Sequence, residues 1–373
     1  MFDANGRVST KGSFVDYIHA MADQFARCTW IASVYEGPAF TTAMIDRSRI
    51  NVIPIFHRNI LSLTKVWLYI CFRLLSRPYV LMFHAAFLFP VLPVIKIFSK
   101  KFVAYLGMDY EEAIRSGALV GIPGWRAVFR MGHEFPLKWA DAVIVRGKYL
   151  KKRAMNFNRL VFETVPVGEM AVPPGTDYNH SHPGDPSKRI LFIGKVTFAK
   201  GVHHLLQAYR LLTEDDSEIT WQLDIVGEGA ECTEIKAYAR SLNLDRVIFH
   251  GWMEFKTAVE PLFARAHVLA CPSFFPEGVP RVIDEALIRG VPVVATRVGG
   301  IAEEFRTNEV MLVEPNNPAE LCAAIQSIVL NPQNRSKYLE GAGQRARRWQ
   351  NFKSAADQHA GILLDSISLA GTQ

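Results

Sequence analysis

Two lysines and two glutamates in the second half of the chain have the types and spacing to handle a charged leaving group. Lys195 and Lys200 lie in RILFIGKVTFAKGVHHLLQAY, between an apolar run that reads as a strand and a helical segment. Ammonium groups held at such a junction neutralise a diphosphate as it takes on leaving-group charge. Glu277 and Glu285 lie in PEGVPRVIDEALIRGVPVVATRVGG. Their spacing alone carries no information, since a chain with 21 glutamates in 373 residues holds roughly one such pair by composition. The surroundings give it meaning. Pro276–Gly278 reads as a turn, and Pro280 suits the first position of a helix, where its missing N–H is not needed. The amides of Gly278, Val279 and Arg281 then sit at a helix start, which is an anion site for phosphate. Glu285, further along, can accept two hydrogen bonds from a ribose diol, and Glu277 can reach a hexose hydroxyl beyond the phosphates.

The elements that must position these groups follow from the apolar pattern. Short apolar runs alternate with helical segments: CTWIASV, INVIPIF, YVLMFH, KFVAYLG and DAVIVRG, then RILFIG, WQLDIVG, RVIFHG, HVLACPS and VPVVAT. Near-continuous apolar strands between helices imply parallel sheets covered on both faces. In such sheets ligands bind beyond the carboxyl ends of the strands. Gly194 ends one strand there, and Gly227 and Gly229 end another, where glycine lets backbone approach a planar ring or a ribose.

The segment VPPGTDYNHSHPGDPSKR, residues 172–189, is rich in Pro, Gly, Asp and His without periodicity and reads as a linker between two such domains. A length of 373 residues supports two cores. NGRVSTKGSFVDYIHAMADQF reads as a glycine loop entering a helix over 13–26, with only five residues before it. A doubly wound sheet normally places its central strand ahead of such a loop, so the expectation is a start upstream of Met1.

Five cysteines without paired spacing (Cys28, Cys71, Cys232, Cys271, Cys322) argue against a disulfide framework and a zinc site, and fit a reducing cytosol. The opening MFDANGRVSTKGSF is polar and does not read as a secretory signal. Charge is distributed unevenly. Residues 47–160 hold 19 Lys and Arg against 5 Asp and Glu, a net of +14, while the rest of the chain holds 23 against 31, a net of −8. A cationic half calls for an anionic partner. No nucleic-acid-binding signature accompanies it, so nucleic acid is not expected. RNILSLTKVWLYICFRLLSR, residues 58–77, reads as an amphipathic helix with Arg58, Lys65, Arg73 and Arg77 on one side, and RGKYLKKR at 146–153 is a second basic run. Both favour an anionic membrane surface. The apolar stretch at 78–95 is long enough to span a bilayer, but its three prolines and His84 fit a strand, a loop and a helix better.

The blocks GKVTFAKG, IVGEGAE, VIFHGWM, ACPSFFPEGVPRVIDEAL and GVPVVATRVGGIAEEF, in that order over residues 189–315, resemble the carboxyl-terminal half of the family 4 (group 1) glycosyltransferases. STKGSFVDYI, WADAVIVRGKYLKKRA and VPPGTDYN resemble the amino-terminal half more loosely. The resemblance implies an α/β protein of GT-B fold, with two Rossmann-like doubly wound parallel-sheet domains facing a cleft. It places an acceptor-side domain at 1–172 that lacks its first strand, a nucleotide-sugar domain at 187–352, and a helix at 353–373 returning to the first domain. It further implies retaining, metal-independent transfer of a hexose from a UDP- or GDP-sugar, with no cofactor. The acceptor would be a lipid-linked molecule or a polysaccharide, met peripherally on the cytoplasmic face of the plasma membrane. Carried residue by residue, Lys195 and Lys200 match the diphosphate-holding pair, Glu277 the carboxylate near the donor sugar, Glu285 the ribose ligand, and Gly12 the glycine facing the phosphates.

Three departures stand out. Lys195 replaces the usual arginine and loses its bidentate fork. Val279–Pro280 replaces the common Phe–Gly. Gly107 or Met108 occupies the place of a frequent histidine, which leaves Asp109 or His84 for the acceptor side. His133 and His267 read as structural. The alternative from another class is a non-catalytic sugar-nucleotide-binding or assembly subunit on the same fold.

Overall fold

Parallel strands buried on both faces account for the near-continuous apolar runs. The computed structural model describes residues 12–25, 28–33, 50–55, 67–68, 70–72, 75–76, 78–83, 92–106, 134–164, 187–215, 219–275, 278–349 and 355–364. The described residues fall into two units: those up to 164 with 355–364, and those from 187 to 349.

The first unit opens with helix α1 (Gly12–Asp23). Strand β1 (Cys28–Ser33) pairs in parallel with β2 (Ile50–Ile55). A second parallel sheet runs in the order β3 (Tyr79–Phe83), β4 (Lys101–Leu106), β5 (Ala142–Val145), β6 (Val161–Glu163). The period-2 rule divides its side chains between two cores. Phe102, Ala104, Leu106, Val143 and Val145 pack under α2 (Leu92–Phe98), helical residues 134–139 and α3 (Lys148–Met155). On the other face Val103, Ala142 and Ile144 pack with α1 and the C-terminal helix Ala355–Leu363. That helix is locked by His359, whose Nδ1 lies 2.7 Å from the Tyr17 hydroxyl and whose Nε2 lies 3.2 Å from Thr164 Oγ1. Burial pushes the His359 pKa down to about 4, so the ring is neutral near pH 7.

Sequence reasoning expects one sheet here, whereas among the described residues β1 and β3 share no ladder and the strands split into two and four. The three-residue strand β6 escaped the sequence reading because it is too short to show a period. Of the basic segment at 58–77, residues 67, 68 and 70–72 are helical, while Arg58, Lys65, Arg73 and Arg77 lie outside the described residues. Within the run at 78–95, Tyr79–Phe83 forms β3 and residues 92–95 begin α2, while 84–91 lie outside the described residues. Among the described residues no helix is long and apolar enough to cross a membrane.

The second unit is one six-stranded parallel sheet. Its elements are β7 (Lys188–Ile193), the 3-10 turn Phe198–Lys200, α4 (Val202–Asp215), β8 (Trp221–Val226), α5 (Cys232–Ser241) and β9 (Val247–Gly251). After these come α6 (Glu260–Arg265), β10 (Val268–Cys271), α7 (Arg281–Ile288), β11 (Val293–Thr296) and α8 (Gly299–Glu304). The unit closes with β12 (Met311–Val313), α9 (Pro318–Leu330) and α10 (Pro332–Trp349). The order β9-β8-β7-β10-β11-β12 is the doubly wound 3-2-1-4-5-6 arrangement, and its direction reverses between β7 and β10. Ile190, Phe192, Leu223 and Ile225 pack on α4, α5 and α9, while Leu191, Leu269 and Ala295 pack on α6, α7 and α8.

Candidate active site at the ends of the central strands

The reversal of strand order places two loops side by side: the one leaving β7 and the one leaving β10. The first carries Gly194, Lys195 and Lys200. Lys195 is exposed and Lys200 half-buried. The turn holding Lys200 is fixed from three directions. Thr197 caps it, with Oγ1 accepting from the Lys200 amide at 3.3 Å. Glu231, at the start of α5, accepts from the Phe198 amide at 3.0 Å. The Ala199 carbonyl accepts from the Phe274 amide at 2.9 Å, which ties the turn to the loop after β10.

Gly201 closes the turn at φ +70°, a left-handed conformation that favours glycine. A Cβ there would lie 1.8 Å from the Pro272 carbonyl oxygen, so only glycine lets the two loops approach this closely. The same device changes the reading of Gly227. The sequence assigns its open face to a ring or ribose, but the Gly194 carbonyl oxygen already occupies it, 1.9 Å from where a Cβ would stand. Its N–H donates to Gly251 O at 2.7 Å. Gly229 likewise sits against Val196 O, at 2.2 Å by the same construction. These glycines are spent on joining strand ends to one another.

The second loop leads to α7. Helix assignment begins at Arg281, with Pro280 as the N-cap residue rather than the first helical one. No side chain caps this end, so the helix amides and the positive end of its dipole are directed to the loop region. Gly278 is buried there under Gly300 of α8, where an added Cβ would stand 2.9 Å from the Gly278 carbonyl carbon. Val279 is buried in the core beneath. Glu285 is partly buried, with Oε1 3.8 Å from Arg281 Nε, one turn earlier on the same face.

Two anchors hold α7 that sequence reasoning missed. At its C-terminus Arg289 donates to Glu260 at 2.8 Å and to the Glu285 carbonyl at 2.8 Å. In its middle, Asp284 is 1% exposed and pairs with Arg345 Nε of α10 at 3.0 Å. Arg345 also reaches Glu304 at 3.0 Å and Glu309, which is fully buried, at 3.3 Å. Burial works against the Arg345 cation, but Asp284, Glu304 and Glu309 outweigh it and raise its pKa. Beside the Lys200 turn, the His203 and His204 rings lie with centroids 3.8 Å apart and planes tilted by 41°. Burial, with His204 adding to it, lowers the His203 pKa to about 4. Burial also lowers that of His204. The pair is therefore neutral near pH 7 and adds no charge to the lysines.

Of the residues singled out from the sequence, Gly194, Lys195, Lys200, Gly227, Gly278, Val279, Arg281 and Glu285 belong to this strand-end region of the second unit. Gly12 opens α1 in the first unit. Glu277, His84, Asp109 and His133 lie outside the described residues. His267 accepts the Arg189 amide at Nδ1, at 3.1 Å, and is a structural tie. Among the described residues no group of His, Cys, Asp or Glu gathers as a metal site.

Two lysines, an uncapped helix start and a carboxylate at the switch point of a doubly wound sheet are what a phosphate-bearing nucleotide needs. Residues 179–349 match the family described as glycosyl transferases group 1. That match spans all the described residues of the second unit. Among curated proteins similar to this chain is the D-inositol 3-phosphate glycosyltransferase of Acidothermus cellulolyticus, 32% identical over 218 residues, 53% of this chain and 48% of the relative. Another is the glycogen synthase of Mycobacterium tuberculosis, 29% identical over 174 residues, 45% of this chain and 41% of the relative. The chain spans about half the length of the curated relatives it matches. Solved structures share the fold over nearly the whole chain. Sucrose-phosphate synthase from Thermosynechococcus elongatus superposes with a TM-score of 0.70 at 19% identity, covering 94% of this chain and 92% of that one. Anabaena HepE in complex with UDP and glucose superposes with a TM-score of 0.68 at 18% identity, covering 96% of each chain. The fold of the chain is GT-B, as in these solved structures.

Proposed function

We propose that the protein transfers a hexose from a UDP- or GDP-sugar to a lipid-linked or polysaccharide acceptor at the cytoplasmic face of a membrane, with retention of configuration and without metal or cofactor. The observation that carries this reading is the switch-point arrangement: the Lys195–Lys200 loop, the uncapped start of α7 and Glu285 stand at adjacent strand ends. In the reaction, the bond from the anomeric carbon to the diphosphate breaks and its electron pair stays on the phosphate oxygen. The acceptor hydroxyl oxygen bonds to that carbon from the same face, and its proton ends on the released diphosphate. The two lysines and the helix amides stabilise the charge that develops on that leaving group. Glu285 holds the ribose. Glu277 is assigned the donor hexose, Gly12 the phosphates from the first unit, and Asp109 or His84 the acceptor side.

The donor class is supported by the UDP and UDP–glucose complexes of the HepE neighbours. An acceptor met at a membrane is supported by the net +14 of residues 47–160. Lys200→Ala and Glu285→Ala are each expected to lower turnover by roughly 10²–10³-fold or more, with far-UV circular dichroism unchanged. Release of nucleoside diphosphate from a panel of nucleotide sugars is the assay. Wild-type rates in both variants refute the assignment, and a wild type that binds donors but releases no diphosphate favours a binding subunit.

A further inference from the structure

The most exposed large apolar side chains of the described residues are concentrated in one place. Leu68 is 71% exposed, Phe72 69%, Leu75 68%, Ile97 67% and Met155 60%. All five belong to segments that cover a single face of the β3–β6 sheet. Trp67, Ile70 and Cys71 pack inward on that face, as do Leu92 and Ile95 of α2 and Leu150 and Ala154 of α3. Leu68, Phe72 and Leu75 recur at helical spacing and turn the opposite way. In α3 the exposed positions Lys148, Lys152 and Met155 form a comparable stripe. Apolar side chains facing away from the core are costly in water unless another surface meets them.

The charge around them says which surface. Between 67 and 164 the described residues hold ten Lys and Arg against three Asp and Glu, a net of +7. Each of the three carboxylates already faces a lysine: Glu134 faces Lys138, Asp141 faces Lys96, and Glu163 faces Lys151. The layer therefore presents an apolar and cationic surface together, the chemistry that inserts side chains between anionic headgroups.

We propose that the outer surface of this helical layer, through Leu68, Phe72, Leu75, Ile97 and Met155 with Lys148 and Lys152, docks on an anionic lipid bilayer. The inference rests on the proposed transfer at a membrane and locates where the contact is made. Co-sedimentation of the full chain with phosphatidylcholine vesicles, alone or with an equal share of phosphatidylglycerol, tests it. Binding is expected to the phosphatidylglycerol vesicles only, and to weaken as salt is raised. Phe72→Ser with Ile97→Ser is expected to lower the partition coefficient by about tenfold or more, and so is Lys148→Gln with Lys152→Gln. Circular dichroism confirms that both double variants are folded, since all four side chains are exposed.

Equal binding to the two vesicle types overturns the proposal, as does wild-type binding by either double variant. Light scattering that shows a dimer of the parent chain separated by the apolar pair of substitutions also overturns it, and assigns the face to a second copy. Donor hydrolysis without vesicles keeps the two readings apart. It is expected to be unchanged in the double variants. A chain that binds vesicles through these residues yet hydrolyses no donor keeps the docking face and defeats the proposed transfer.

Discussion

Arg345→Met isolates what holds the candidate donor helix in place. Methionine matches the length of the arginine stem and can keep contact with the Phe305 ring, over which the guanidinium carbon sits at 4.4 Å. It removes the cation that serves Asp284, Glu304 and Glu309. Glu309 keeps Arg348, and Glu304 is partly exposed, so the damage falls chiefly on Asp284, 1% exposed. Removing one partner of a buried pair costs ~3–5 kcal/mol, and with Glu309 still served the lower end applies, about 3 kcal/mol. In a unit of this size each kcal/mol moves Tm by about 2–4 °C, so Tm should fall by roughly 6–12 °C. Scanning calorimetry of parent and variant measures it. The decisive comparison is Asp284→Asn with Arg345→Met. Because the stranded carboxylate is then neutral, the double variant should be more stable than Arg345→Met alone. A Tm within about 1 °C of the parent for Arg345→Met, or a double variant losing the sum of both singles, refutes the account of α7 as held by a buried ion pair.

Other consequences of the geometry can be measured directly. Gly201→Ala forces a Cβ to 1.8 Å from Pro272 O at φ +70°. It should separate the Lys200 turn from the loop after β10, costing about 2 kcal/mol or more and raising KM for the donor; a parent-like KM contradicts this. His359 has its pKa lowered from 6.5 to about 4 by burial, so the unfolded chain takes up the proton at a higher pH than the folded one. The neutral ring's contribution is complete above pH 6.5 and is lost as pH falls from there toward 4, up to roughly 3 kcal/mol. Plotting Tm against pH for the parent and for His359→Gln should show a flatter acid limb in the variant, and identical limbs would count against the assignment. Losses of turnover in Lys200→Ala and Glu285→Ala, with donor hydrolysis as readout, complete the set.

How much of this was legible in the sequence depended on the range of the interactions. All ten apolar runs read as strands are strands, because burial on both faces leaves a local signature. Glycine and proline marked the loops at the carboxyl ends of β7 and β10 for the same local reason. β6 and β12, three residues each, hold too few positions to show a period. The Arg345 cluster was invisible for a different reason. Its partners lie 61, 41 and 36 residues away, and nothing about an arginine within GAGQRARRW distinguishes a buried anchor from a solvated face.

The glycines at the strand ends show what a reading of single loops leaves out. Reading Gly227 and Gly229 as open faces for a ligand treats each loop as if it met the ligand alone. In the structure the ends of neighbouring strands meet each other first: Gly227 against Gly194, Gly229 against Val196, Gly201 against Pro272, Gly300 against Gly278. Each contact runs through a main-chain carbonyl, so each glycine sets the separation of two loops to within the size of one methyl group. In the proposed reaction a diphosphate spanning the β7 and β10 loops would be sensitive to that separation, because charge stabilisation depends on cations and amides already being in place. Under that proposal, glycine at these positions acts on the donor through the spacing of the strand ends. A substitution there should change donor affinity even where the glycine itself touches nothing but its own chain.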